Sequence, residues 1–297
     1  MVENLETWKK VCNISGQALN HGLGLIKKGV PVIEVCDAVD SKIIELGAKP
    51  SFPAQISLDH VAAHYCCPHE DKTMLDSQVA KLDCGAHLDG IPGDTAATVD
   101  LSGKNAELVK ASRNALNASI KIVQPGVKLS EIGQVIQSEI SALGFSSIRN
   151  LSGHGIAQFE LHTKPTVPNF NNNDPTELTS GQIIAIEPFA TTGEGVIVEG
   201  TNAEVFMQTA HKQVRDFTSR KILAEIETYE NLPFAKRWLM QKFLPIKVEL
   251  ALRQLQLNDS VQGFSPLVEK AHGLVSQAEH TLLVTDSGCD VLTKITE

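Results

Sequence analysis

No run of about eighteen consecutive apolar residues occurs in the 297-residue chain, so no transmembrane helix is expected. The basic-then-apolar layout of a signal peptide is also missing: Met1-Val2-Glu3-Asn4-Leu5-Glu6 is acidic and polar. Cysteine is sparse and unpatterned. Cys12, Cys36, Cys66, Cys67, Cys84 and Cys289 have no framework spacing, and the adjacent Cys66-Cys67 lacks the second pair that a zinc ribbon needs. They read as reduced thiols of a cytoplasmic protein. An excess of positive charge is lacking as well, and a net charge of −9 argues against general nucleic-acid binding.

What is present is enough apolar residue, 42%, to bury one large core or two modest ones. The charge is uneven. Residues 206–264 carry nine Lys/Arg against six Asp/Glu, a net +3, which leaves −12 on the remainder. This segment is rich in bulky aromatics (Phe217, Tyr229, Phe234, Trp238, Phe243) and reads as three short helices over 219–229, 234–242 and 248–255, with Pro233 just inside the second. It is expected to be an inserted helical subdomain within a body made of 1–205 and 265–297.

The body repeats itself at an offset of 97 residues. Ala18-Leu19-Asn20 recurs as Ala115-Leu116-Asn117, Gly29-Val30 as Gly126-Val127, and Leu46-Gly47 as Leu143-Gly144. Each copy reads as helix, turn, helix, glycine stop and strand. Two copies are too few for a solenoid. A duplicated α+β half, with the two sheets meeting in the middle, fits better.

The first copy ends in Asp83-Cys84-Gly85-Ala86-His87-Leu88-Asp89-Gly90-Ile91-Pro92-Gly93-Asp94. Asp89-Gly90 is a type I′ hairpin signal. With those two residues as the loop, Leu88 pairs with Ile91 and Gly85 with Asp94, so Asp83 and Asp94 share a face; a register shifted to pair Asp83 with Asp94 directly does the same. Like charges so placed repel unless something positive lies between them. Alone, the pair reads as two exposed aspartates. Three further residues point to a ligand set: His154 between Gly153 and Gly155, Glu187 at the end of the apolar run Ile183-Ile184-Ala185-Ile186, and Glu279 inside the alternating stretch Val275 to Val284. A carboxylate among Ile184, Ile186, Pro188 and Phe189 is costly to bury unless paired or metal-bound. Four carboxylates and an imidazole suit two divalent ions such as Mn²⁺, Fe²⁺, Co²⁺ or Zn²⁺ better than one structural zinc.

These motifs, taken in order, resemble the type 2 methionine aminopeptidases, in the archaeal-style form without a long N-terminal extension. The likeness runs over essentially the whole chain. It rests on Asp83-x-Gly85-x4-Gly90-x3-Asp94-Thr95, Ser152-Gly153-His154-Gly155, Ile186-Glu187-Pro188-Phe189 and Gln277-Ala278-Glu279-His280-Thr281. The resemblance implies a duplicated pita-bread (creatinase/aminopeptidase) α+β fold with an inserted, winged-helix-like helical subdomain. It implies a dimetal hydrolase that removes the initiator methionine from nascent chains and peptides with a small second residue. Asp83 would bind one ion, His154 and Glu187 the other, and Asp94 and Glu279 would bridge. Glu187 would also shuttle the proton, His64 would contact the scissile amide nitrogen, and His162 would hydrogen-bond the carbonyl oxygen. Phe52, Leu161, Phe189 and Phe264 match the methionine pocket. Two departures stand out: Phe264 lies where tyrosine is expected, and Cys66-Cys67 replaces the usual Thr-Pro. Cys84 and His280 are expected to face away from the metals.

Two rival readings remain open on sequence. One is another pita-bread enzyme, cleaving Xaa-Pro bonds with the same five ligands; the other is a non-catalytic pita-bread protein that binds ribosomes or nucleic acid. A monomer is expected, with the basic insertion touching ribosomal RNA transiently and no membrane contact.

Overall fold

The computed structural model describes residues 3–295. It opens with helices α1 (Leu5–Leu25) and α2 (Val32–Glu45), followed by strands β1 (Lys49–Leu58), β2 (Val61–Ala63), β3 (Val79–Leu88) and β4 (Ile91–Asp100). The pattern restarts with α3 (Ala106–Ile120), α4 (Leu129–Ala142), β5 (Ser146–Ser147), β6 (Ser152–Ala157), β7 (Glu160–Pro168) and β8 (Ile183–Ile186). The repeat read from the sequence is real in three dimensions. Shifted by the repeat offset, α2 coincides with α4 at both ends. Gly29 and Gly126 both have φ 85°, and Gly47 and Gly144 both have φ 84°, where glycine avoids the Cβ penalty. The equivalent turns also dock alike: Gly29 N–H donates to the Leu75 carbonyl at 2.7 Å, and Gly126 N–H to the Leu178 carbonyl at 2.9 Å.

Short strands follow: β9 (Phe189–Thr191), β10 (Ile197–Glu199) and β11 (Val205–Gln208). Then come α5 (Phe217–Ile226), β12 (Phe234–Ala235), α6 (Lys236–Met240), α7 (Pro245–Leu257), β13 (Val261–Phe264) and β14 (Leu267–Glu269). The chain finishes with β15 (Val275–Gln277), β16 (Glu279–Val284) and β17 (Cys289–Val291). An antiparallel sheet runs in the order β1-β3-β4-β16-β8-β6-β7, with β17 on β16. Strands of the first copy fill one side, strands of the second the other, and β16 joins them at the seam. Leu82, Cys84 and Ala86 of β3 pack with α1 and α2 in one core, whereas Ile184, Ile186, Ala278 and Leu282 pack with α3 and α4 in a second. Each strand therefore sends alternate side chains into a core and leaves the others for the site. All six cysteines are free.

Two local expectations fail. Within 206–264, residues 234–235 are strand, and Pro233 precedes that strand instead of starting a helix. Phe234 and Ala235 pair with Phe206 and Val205 of β11. Phe234 is fully buried and its ring is stacked between Phe206 and Tyr229, so tertiary pairing overrides local helix pattern. The second failure is the stretch 275–284, which breaks at Ala278 into two strands that join different sheets.

Candidate metal centre

Asp89 (φ 49°) and Gly90 (φ 78°) form the tight turn, pairing Leu88 with Ile91 and Gly85 with Asp94. Asp83 lies opposite Ala96, so it meets Asp94 diagonally. The first register considered is the observed one, and the shifted register does not occur. His154 comes from β6, Glu187 follows β8, and Glu279 begins β16. All five line one cavity of about 900 Å³, together with His64, His162, Phe52, Leu161, Phe189 and Phe264. The structure thus gathers every candidate site residue into a single place.

The distances are those of a ligand cluster. His154 Nε2 lies 3.7 Å from Asp94 Oδ2 and 3.7 Å from Glu187 Oε1. One ligating atom each from Asp94, His154 and Glu279 fall within 4.8 Å of one another. His154 Nδ1 is 3.2 Å from the Gly155 carbonyl. Donation there assigns the proton to Nδ1 and leaves the Nε2 lone pair facing the carboxylates. Burial, then the neighbouring His162, lowers His154 to about 3, so the ring is neutral as a ligand must be.

The carboxylates carry the strongest signal. Burial pushes Asp83 up to about 7, against a hydrogen bond from Gln277. Asp94, Glu187 and Glu279 are driven well above the carboxylate range, first by burial and then by neighbouring carboxylate charge, that of Asp83 for Asp94 and that of Asp94 foremost for the two glutamates. Asp83 Oδ1 and Asp94 Oδ1 are buried without a hydrogen-bond partner. No Lys or Arg lines the cavity among the described residues. Four clustered acids, two of them with an orphaned oxygen, and no cationic side chain are what a divalent cation would satisfy, so the donor set fits a metal.

Supporting groups were invisible as such in the sequence. Thr281 Oγ1 donates to the Asp94 carbonyl at 2.7 Å and accepts from Asp94 N–H at 3.0 Å. Thr95 Oγ1 donates to the Glu279 carbonyl at 2.9 Å. Gln277 Nε2 reaches Glu187 Oε2 at 3.4 Å and Glu279 Oε2 at 3.5 Å. Gln277 and Thr281 lie two residues either side of Glu279, and that spacing was the available signal. His211, which no motif singles out, also lines the cavity wall, 3.2 Å from Gln208 Nε2.

The remaining candidates surround this cluster. His162 stands edge-on to His154, ring centroids 4.2 Å apart. His64 has φ 63°, a left-handed conformation uncommon for histidine, and meets Phe264 edge-on at 6.4 Å. Burial and then His162 lower His64 to about 4. Phe52, Leu161 and Phe189 are buried apolar wall. Cys84 is buried in the first core, and His280 Nδ1 meets Thr293 Oγ1 at 2.9 Å, both turned away from the acids.

Known proteins bear on this geometry. The sequence profile of metallopeptidase family M24 matches residues 6–286. A methionine aminopeptidase of Archaeoglobus fulgidus is 43% identical over 280 residues, 94% of each chain. Among solved structures, a methionine aminopeptidase from Thermotoga maritima superposes with a TM-score of 0.72 at 22% identity, over 99% of this chain and 98% of its own. A thermophilic Arx1 superposes at 0.86 with 16% identity, over 100% and 92%. These two show the pita-bread fold. Because the profile spans nearly all of the chain and the archaeal relative is similar from end to end, the chain belongs to metallopeptidase family M24.

Proposed function

We propose that this protein removes the initiator methionine from nascent chains and peptides whose second residue is small. Divalent metal use follows from its family and from the acidic cluster. The observation that carries the reading is the convergence of Asp83, Asp94, His154, Glu187 and Glu279 in a cavity that also holds two uncharged histidines and an apolar wall. In this reading Asp83, Asp94, His154, Glu187 and Glu279 would hold two divalent ions, and Co²⁺, Mn²⁺, Fe²⁺ and Zn²⁺ would all suit the donors. Bound divalent cations supply Lewis acidity and lower the pKa of water toward neutrality.

The side chains do the rest. Glu187 takes the proton of the attacking water and passes it to the departing amine. His162 donates to the carbonyl oxygen as charge develops, a contribution of about 3 kcal/mol for one such donor. His64 contacts the scissile amide nitrogen. Phe52, Leu161, Phe189 and Phe264 accept the thioether side chain, for which an apolar wall is suited. With phenylalanine at 264 this wall has no hydroxyl at that position. The acidic floor suits the free amino group of a chain end, which limits cleavage to the first residue.

Residues 206–264 are, in the same reading, an inserted subdomain of a monomeric cytoplasmic enzyme, and they touch ribosomal RNA transiently. Their charge of +3 supports this, as do the exposed Phe217, Leu244, Ile246 and Leu250. Ribosome cosedimentation that does not weaken with salt would count against an RNA contact. The catalytic reading is tested by metal analysis and methionine release from Met-Ala-Ser on wild type and Glu187→Gln. The variant should lose most activity, and a fully active Glu187→Gln would remove Glu187 from the mechanism.

A further inference from the structure

Arg237, in α6, is 1% exposed. Its Nη2 lies 3.1 Å from Asp37 Oδ1 and 3.1 Å from Asp40 Oδ2, both on α2. Its Nη1 donates to Cys66 Sγ at 2.9 Å. One guanidinium thus ties segment 206–264 to two acids on a helix of the first copy and to a thiol two residues beyond His64. Its planar fork of donors can span three acceptors at once, which an ammonium cannot.

Both branches lead to the cavity. His64 holds a left-handed backbone that persists only where its surroundings enforce it. The residues that could enforce it come directly after: Tyr65 N–H donates to Ser57 Oγ at 3.3 Å, Cys66 takes Arg237, and Cys67 Sγ lies 3.7 Å from Cys36 Sγ. Cys66 also packs with Val205, Ala235 and Phe264, and Phe264 faces the His64 ring. On the other branch, Asp40 Oδ1 accepts from Ala54 N–H at 2.9 Å, inside the irregular stretch of β1 between Phe52 and Gln55. Phe52 is cavity wall, and Gln55 pairs with Asp83.

We propose that Arg237 is a positioning residue: through Cys66 it fixes the backbone that presents His64, and through Asp40 it fixes the bend that presents Phe52. The Cys66-Cys67 pair, a departure from the family pattern, is then the anchor of the histidine turn. This rests on the reading of His64 as the contact to the scissile nitrogen.

The test uses Arg237→Lys, which keeps the charge but not the fork, and Cys66→Ala, which removes only the sulfur contact and preserves the Arg–Asp pair should the lysine variant fold poorly. On metal-loaded protein Cys66→Ala should lower kcat for Met-Ala-Ser by about tenfold with KM little changed, since small misplacement of a positioned group is that costly. Arg237→Lys, which also releases the Phe52 bend, should lower kcat similarly and raise KM. In a His64→Ala background Cys66→Ala should change kcat less than about twofold, the non-additivity of residues that act as a unit. Hydrogen exchange across residues 62–67 should quicken in both variants. Additive kcat losses, or unchanged exchange across that segment, would overturn the proposal. If wild type releases no methionine, the functional reading fails, and the exchange measurement still decides whether Arg237 holds the His64 turn.

Discussion

Asp94 and Thr281 grip each other across the seam between the two halves, with the threonine hydroxyl donating to the Asp94 carbonyl and accepting from its N–H. Both residues are buried, so neither bond can be replaced by bulk water. Thr281→Val keeps the shape and removes both bonds. It should cost about 1–3 kcal/mol, with an orphaned N–H and carbonyl left behind. Urea denaturation of the metal-free protein reads this term, and weaker metal binding in a competition titration should accompany it.

The acidic cluster predicts opposite effects with and without metal. Burial and mutual repulsion oppose four ionised carboxylates. Removing one charge by Glu279→Gln should therefore raise the unfolding midpoint of chelator-treated protein above that of chelator-treated wild type. With saturating metal the order should reverse, because wild type gains more binding free energy. Differential scanning fluorimetry with and without chelator checks both arms.

His64 predicts a pH dependence. Burial, then the neighbouring His162, lowers its folded pKa from 6.5 to about 4. Between these values the unfolded chain binds the proton more readily than the folded one. The stability contributed by the neutral ring is complete above about pH 6.5 and declines as pH falls toward 4. His64→Gln should flatten this slope, removing on the order of 2 kcal/mol of pH-dependent stability after allowance for partial exposure. Urea midpoints between pH 4 and pH 8 measure it.

The hairpin tip is a further constraint. Gly90 has φ 78°, and a Cβ there would lie 2.3 Å from the Phe159 ring. The Phe159 N–H also donates to the Gly90 carbonyl at 2.7 Å, so the tips of the two ligand-bearing hairpins touch. Gly90→Ala should destabilise by more than about 1 kcal/mol and lower metal affinity, with Phe159→Ala restoring only part, since the backbone strain remains. Chemical denaturation and metal titration of the three variants test this.

Much of this architecture was legible because the signals were local. Asp89-Gly90 dictated the turn and register, and the matched glycines at 29 and 126 marked the repeat. The five acidic and imidazole residues stood out because charges amid apolar strands need a reason. What could not be read depended on distant partners. Phe234 looks helical until β11 offers it a pairing edge and Tyr229 a stacking face. Thr281 became a support only once β16 lay beside β4 and β8, and Gln277 only once β15 lay beside β9. Arg237 and His211 sit in a segment whose charge, aromatics and helix pattern carry no sign of the cavity or of α2.

The account is tested most directly by comparing release of methionine from Met-Ala-Ser with cleavage of Ala-Pro, on protein of known metal content. It predicts that metal-loaded wild type frees methionine from the tripeptide, that Ala-Pro is cleaved far more slowly, and that removal of the metal abolishes both. Preference for Ala-Pro, or undiminished methionine release from metal-free protein, would contradict it.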